Sequence, residues 1–271
     1  METVFLYKLL LSFIVGGSYI AFNIWVSEKF GSRIGGLLIG LPSTLLVSLI
    51  FIAWSQNSAA AVSAVPIVPA AIAANSLFLV AFIYLYSRGR AIALLGGVTV
   101  WFVLTFPLVF FSIKNIWISL LFATVFFALA VYRLRKFPHR KLEKFSLTRN
   151  ELLFRIVFTG SLVALAVLLG KVLGPLWGGM FASFPAAFSS SIFILENKHG
   201  IDFASSVART MPYGSMGNTL FAVIFFFLIP VVGIARGTII AYTGSLIFGL
   251  VVSNSILKEK KGFAAKEKNQ L

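Results

Sequence analysis

Nine stretches of this chain are apolar for about the 20 residues that a helix needs to cross the hydrocarbon core of a bilayer. They run roughly over 3–26, 33–54, 60–86, 91–111, 113–132, 150–170, 175–195, 203–230 and 236–257. The joints between them are short and carry turn or charged residues, such as Ser55-Gln56-Asn57-Ser58, Ser87-Arg88-Gly89-Arg90 and Gly174-Pro175. Lipid offers no partner to a backbone N–H or C=O, so such stretches must close their own hydrogen bonds as helices. The expected fold is therefore an all-α, polytopic integral membrane protein of about nine transmembrane helices. Only 11% of the residues are charged, against about 25% in soluble domains, which excludes a soluble enzyme. The absence of cysteine excludes a disulfide scaffold, and 29 Phe with 5 Trp exclude a disordered chain. The first stretch is long for a signal peptide and lacks a small-x-small site before Glu28, so it is read as a span.

The net charge of +15 has a topological explanation. Numbering the loops alternately puts Lys29, Arg33, Arg88, Arg90, the seven cations between Arg133 and Arg149, Lys198 and five tail cations on one side. The other side holds Lys114, Lys171, Arg236 and the N-terminal Lys8. Seventeen against four places the N-terminus outside and the C-terminus in the cytoplasm. The basic balance then needs no nucleic acid. Anionic lipid headgroups beside Arg133–Arg149 are a sufficient partner.

The chain also repeats itself. At an offset of 143 residues, Gly35-Gly36 falls on Gly178-Gly179, Pro42 on Pro185, Pro69 on Pro212, and Asn75 on Asn218. Between residues 28 and 82 no gap is needed and 13 of 55 positions are identical. Glycine and proline matches carry the inference, because each punctuates the backbone. The expected units are 1–111 (helices 1–4) and 150–257 (helices 6–9). They are joined by helix 5 and a basic loop over 112–149, and a basic tail follows at 258–271. Equivalent helices are five spans apart along the chain, and five is odd. The second copy should therefore be inverted relative to the first, an architecture common among transporters.

The run Ile34-Gly35-Gly36-Leu37 followed by Pro42-Ser43 resembles the signature of GlpM-like proteins, small four-helix units of bacterial inner membranes. Trp177-Gly178-Gly179-Met180 with Phe184-Pro185-Ala186 fits it more loosely. The resemblance implies a tandem, inverted fusion of two such units in a multi-pass cell membrane location, a prokaryotic inner membrane. It leaves helix 5 unexplained and implies architecture more than activity.

Proline inside a helix removes a hydrogen bond and clashes with the preceding turn. Pro42 and Pro185 should break helices 2 and 7, and Gly35, Gly36, Gly178 and Gly179 allow close backbone approach. Paired interrupted helices at matching positions point to a substrate site, although a packing kink has the same signature. Ser43, Ser48, Ser191, Asn75 and Asn218 supply polar groups that must face the interior. The two asparagines serve either a pocket or an interhelical bond. Arg209, displaced into helix 8, either binds an anionic group or reaches back to the cytoplasmic surface. Arg155 reads as an interfacial pair with Glu151 one turn earlier.

All eight acidic residues lie at span ends, in loops or in the tail, and both histidines lie in loops. No metal cluster, nucleophile–histidine–acid set or P-loop can be assembled, so neither a cofactor nor an enzyme is expected. The reading is a secondary carrier, permease or lipid flippase for a small-molecule or lipid substrate. The alternative is a non-transporting membrane scaffold or accessory subunit. A homo-oligomer is compatible with either. A topology reporter fused after Leu271 or inserted at Arg140 should read cytoplasmic, and one at Asn57 external. An external signal at Arg140 would overturn both the orientation and the inversion.

Overall fold

The computed structural model describes residues 2–30, 42–137 and 147–268, with side-chain surroundings over 3–23, 42–137 and 147–252. Gly35, Gly36 and the cations between Arg140 and Lys144 lie outside the described residues. All regular structure among the described residues is helical. In chain order the elements are α1 (Glu2–Phe30), α2 (Ser43–Ser55), α3 (Ser58–Ala64), α4 (Val68–Leu85), α5 (Arg90–Phe110), α6 (Ile116–Leu134), α7 (Arg149–Val172), α8 (Pro175–Ala182), α9 (Ala186–Ala208), α10 (Met211–Val232) and α11 (Ile234–Lys268).

The ends of these helices follow local chemistry. Asn57 caps α3 by accepting from the Ala60 N–H at 2.8 Å, and Asn115 caps α6 through the Trp117 N–H at 2.9 Å. Thr148 and Glu151 form a reciprocal capping box on α7. Gly89 and Gly233 hold φ of 116° and 82°, a region that β-carbons disfavour. They end the third and eighth spans at equivalent places in the two halves.

Among the described residues, eight helical stretches are long and apolar enough to cross a membrane, and α2 is a shorter apolar helix. The chain is thus a polytopic membrane protein of about nine helices. Two spans are not single rods. The third, Ser58–Arg88, consists of α3, a 3-10 turn at Val65–Ile67 and α4. Pro66 and Pro69 cause this, since neither offers an N–H to the helical ladder. The seventh is divided into α8 and α9 by Ser183–Pro185, and α9 bends again at Gly200, whose φ is 79°. The break at Pro185 is as expected; the one in the third span was not singled out.

These two broken spans are also the centre of the molecule. Each is 78% buried over its most apolar window, against 17–39% for the other six. The outer helices turn large apolar side chains outward, among them Tyr7, Leu95, Phe110, Trp117, Leu121 and Val231. That surface suits hydrocarbon and would be a liability in water.

Helices in lipid gain little from apolar burial against one another, so they rely on close contact between small residues. A β-carbon on Gly160 would stand 2.6 Å from the Phe13 carbonyl oxygen, and one on Gly17 would stand 2.9 Å from that of Ile156. Lys171, at the end of α7, sits 3.6 Å from the ring centroid of Phe5, at the start of α1. These contacts make α1 and α7 antiparallel neighbours.

The same contacts sort the loops into two ends. At one end Lys8 donates to the Trp54 carbonyl at 2.7 Å. At the other, Glu151 meets Lys198 at 2.8 Å, Glu196 meets Arg90 at 2.7 Å, and Arg209 donates to the Phe137 carbonyl at 2.8 Å. Lys8 and Glu151 occupy equivalent positions in the two halves, and each ties the first helix of its half to the end of the second.

Gly160→Ala should destabilise the protein by about 1–3 kcal/mol through overpacking against backbone that cannot yield. Leu121→Ala, on the outward face, should leave the thermal midpoint in detergent almost unchanged. Equal midpoints for the two variants would contradict the close packing of α1 on α7.

Candidate functional site

The two central breaks meet each other. Pro185 cannot donate, so the helix stops at Ala182 and restarts one turn later. The Ser183 N–H still reaches the Gly179 and Met180 carbonyls at 3.2 and 3.0 Å, and its hydroxyl donates to the Gly179 carbonyl at 2.9 Å. The carbonyl of Ser183 is left without a helical partner. Asn75, near the middle of the third span, supplies one: its Nδ2 donates to that carbonyl at 3.1 Å. Both residues are buried. A bond from one repeat thus satisfies the break in the other.

The irregular third span is served in the same way. The Ala70 N–H, just beyond the 3-10 turn, donates to the Ser119 hydroxyl of α6 at 3.0 Å. Trp101 of α5, fully buried, donates its indole N–H to the Ala71 carbonyl at 3.1 Å. Its ring lies edge-on to Phe184 of the other break, with centroids 5.1 Å apart. Phe102 and Phe158 also stand 6.3 and 6.4 Å from Phe184. The break is therefore polar along its backbone and walled by aromatic rings.

The glycines hold these elements together. A β-carbon on Gly179 would fall 1.9 Å from the Ala64 carbonyl oxygen, where α3 ends. On Gly178 it would meet Gly170 Cα at 2.9 Å and Ile52 Cδ1 at 3.0 Å. Their role is close approach: α8 lies against the third span, against α7 and against α2. α2 touches α8 through Ile52, near its own end, and the buried polar contact runs between the third and seventh spans.

The other sequence candidates divide. Pro42 is buried and immediately precedes α2, as Pro185 precedes α9. Ser43 is half-buried at the first position of α2. Ser48 is fully buried with a hydroxyl that has no partner among the described residues, and the half-buried Asn218 has an unpartnered Oδ1. Arg209 lies at the end of α9, where it donates to the Phe137 carbonyl of the chain leaving α6, so it serves the loop end rather than the centre. Two surface clefts, of about 280 and 400 Å³, are lined by Tyr86, Phe137 and Asp202 in one case and by Leu77, Tyr84 and Arg133 in the other. No sequence candidate lines either.

Arg155 differs from its sequence reading. Glu151 does not pair with it; that carboxylate accepts from the Thr148 N–H at 2.7 Å and meets Lys198. Arg155 instead turns inward, 9% exposed, and donates to the Ser191 hydroxyl of α9. Ser191 was a candidate and Arg155 was not. The available signal was a cation about 9 Å along a membrane helix from its start, at 1.5 Å per residue.

A model of the family described as "Protein of unknown function (DUF3147)" matches the chain twice, over residues 9–116 and 152–261. No curated protein and no solved structure matches it. The two matched segments coincide with the two units read from the glycine, proline and asparagine repeat, and together they span most of the chain. The chain belongs to the DUF3147 family and carries its unit in tandem.

Proposed function

We propose that this protein is a membrane carrier, a permease or flippase without enzymatic activity, whose substrate path passes between the two family units. The observation that carries the reading is the meeting of the two central breaks, with Asn75 of the first unit satisfying the Ser183 carbonyl of the second. Interrupted helices in the core of a repeated membrane protein free backbone groups that ligands or coupling ions can use in turn. The hydrogen bond between the two breaks is also weak enough, about 0.6 kcal/mol on average in membranes, to open and close during a cycle.

The second unit is inverted with respect to the first in this reading. The antiparallel packing of the equivalent helices α1 and α7 supports it, as does the recurrence of the Lys8 and Glu151 contacts at opposite ends. An in-plane two-fold axis has both consequences. The units are of the GlpM-like kind, in a prokaryotic inner membrane with the N-terminus outside. The basic segment Arg133–Arg149 faces anionic headgroups of the cytoplasmic leaflet.

A scaffold reading has one observation in its favour, since the Asn75–Ser183 bond also serves as plain glue between units. Mutants separate the two. Asn75→Ala should lower flux in proteoliposomes at least fivefold, measured across a panel of small organic anions, amino acids and labelled lipids, while the thermal midpoint moves little. A fallen midpoint, with no substrate in the panel moved by the wild type, would favour the scaffold.

A further inference from the structure

Arg155 is a buried cation in the interior of a membrane protein that makes no ion pair among the described residues; Glu151, one turn earlier, acts on it only through space. Its side chain is nine-tenths buried, its Nε has no partner, and the Ser191 hydroxyl is its one hydrogen-bond partner among the described residues. Nearby acids are committed elsewhere. Glu151 is held by Lys198 and the Thr148 N–H, and Glu196 by Arg90 and the Tyr86 hydroxyl. A guanidinium buried within a membrane span costs several kcal/mol unless paired, so an intramembrane arginine is a functional residue by default.

The surroundings favour negative charge further. Arg155 meets α9 in its second turn. The N-terminus of α9 is the buried break at Pro185, where no side chain caps the first N–H groups. A helix N-terminus carries partial positive charge and free donors. Ser189 and Ser190 stand beside Ser191, both buried, each with its hydroxyl donating back to the Ala186 carbonyl. The Ser189 and Ser190 hydroxyls are thus spent on α9 itself, and the Arg155 guanidinium with its open Nε, one turn beyond the uncapped start of α9, is the positive group left for an anion.

The arrangement belongs to one unit only. The position equivalent to Arg155 in the first unit is Ser12, which is buried and donates to the Leu9 carbonyl. The position equivalent to Ser191 is Ser48, whose hydroxyl has no partner among the described residues. A residue needed for the fold of the unit would be expected in both copies, whereas a single substrate site between two copies needs its charge once.

We propose that Arg155, with Ser191 and the N-terminal turn of α9, forms a binding subsite for an oxyanion group, a carboxylate or phosphate, of the transported substrate. The planar guanidinium fork matches both groups bidentately, and its free Nε edge is the side left for them. This rests on the carrier reading above and gives it a substrate class.

The test is thermal unfolding of the full chain in neutral detergent, titrated with sodium phosphate or sodium acetate against sodium chloride at equal ionic strength. Phosphate or acetate should raise the wild-type midpoint by about 2–6 °C over chloride. Arg155→Gln should abolish the rise, and Arg155→Lys should demand at least tenfold more anion because it keeps the charge and loses the fork. Arg209→Gln should respond like the wild type. If Arg155→Gln does not fold, Arg155→Lys and Ser191→Ala carry the test. A parallel titration with phosphatidylglycerol against phosphatidylcholine micelles separates the sources: an Arg155-dependent rise there alone assigns the phosphate to a lipid headgroup. No rise with any probe, or an undiminished rise in Arg155→Lys and Ser191→Ala, overturns the subsite. Anion binding without flux in proteoliposomes would keep the subsite and sink the carrier reading. Flux of neutral solutes without an anion response would do the reverse.

Discussion

Backbone hydrogen bonding in the absence of water governs this molecule. A helix that crosses lipid must satisfy every N–H and C=O along its length, and any interruption has to be covered by protein. The chain places prolines at 66, 69 and 185 in its most apolar reaches, so it must cover at least two interruptions. It does so by pushing both broken spans to the centre and surrounding them with unbroken ones. Asn75, Ser119 and Trp101 then provide the missing partners. Much of the tertiary arrangement follows from that need. The third span sits against α5, which brings Trp101, and against α6, which brings Ser119. The seventh sits against the third because Gly179 lets backbone touch backbone near Ala64.

The outer helices answer a different requirement. Their outward faces are apolar and their inward faces are small, so they seal the core without competing with it. α1 and α7 approach closely at Gly16, Gly17 and Gly160. The central breaks and the loop ends each gather a set of polar contacts. At the basic loop end, Glu196 gathers Arg90 and Tyr86 while Glu151 gathers Lys198. Arg155 lies between these places, about one turn inward from Glu151, and bonds to Ser191 in the second turn of the helix that starts at the Pro185 break.

Much of this was legible in the sequence because the signals were local. Span number follows from segment length and hydropathy, and the tandem repeat follows from glycine, proline and asparagine matches that apolar drift cannot imitate. The break at Pro185 follows from proline chemistry. Other features needed tertiary information. Pro66 and Pro69 were visible, but a stretch of the right length and hydropathy reads as one rod. The partners Ser119 and Trp101 lie 49 and 30 residues from the groups they satisfy, and no spacing rule finds them. Arg155 was misread because the i−4 relation to Glu151 is a genuine helical pairing distance. A tertiary ion pair with Lys198 and the capping box took that carboxylate first. Gly35 and Gly36 lie outside the described residues, so their part in the second span stays with the sequence argument.

The account stands or falls on whether the central breaks form a site that solvent reaches or a sealed kink. The chain contains no cysteine, so a single one introduced at Ser183 can be read without background. Labelling of Ser183→Cys by a membrane-impermeant maleimide in intact proteoliposomes is the direct measurement, with Ser87→Cys at the loop end as the exposed reference. The account predicts labelling at a measurable fraction of the reference rate, slowed when a transported solute is present. A cysteine at 183 that stays unlabelled until detergent denaturation, while position 87 labels fully, would contradict it.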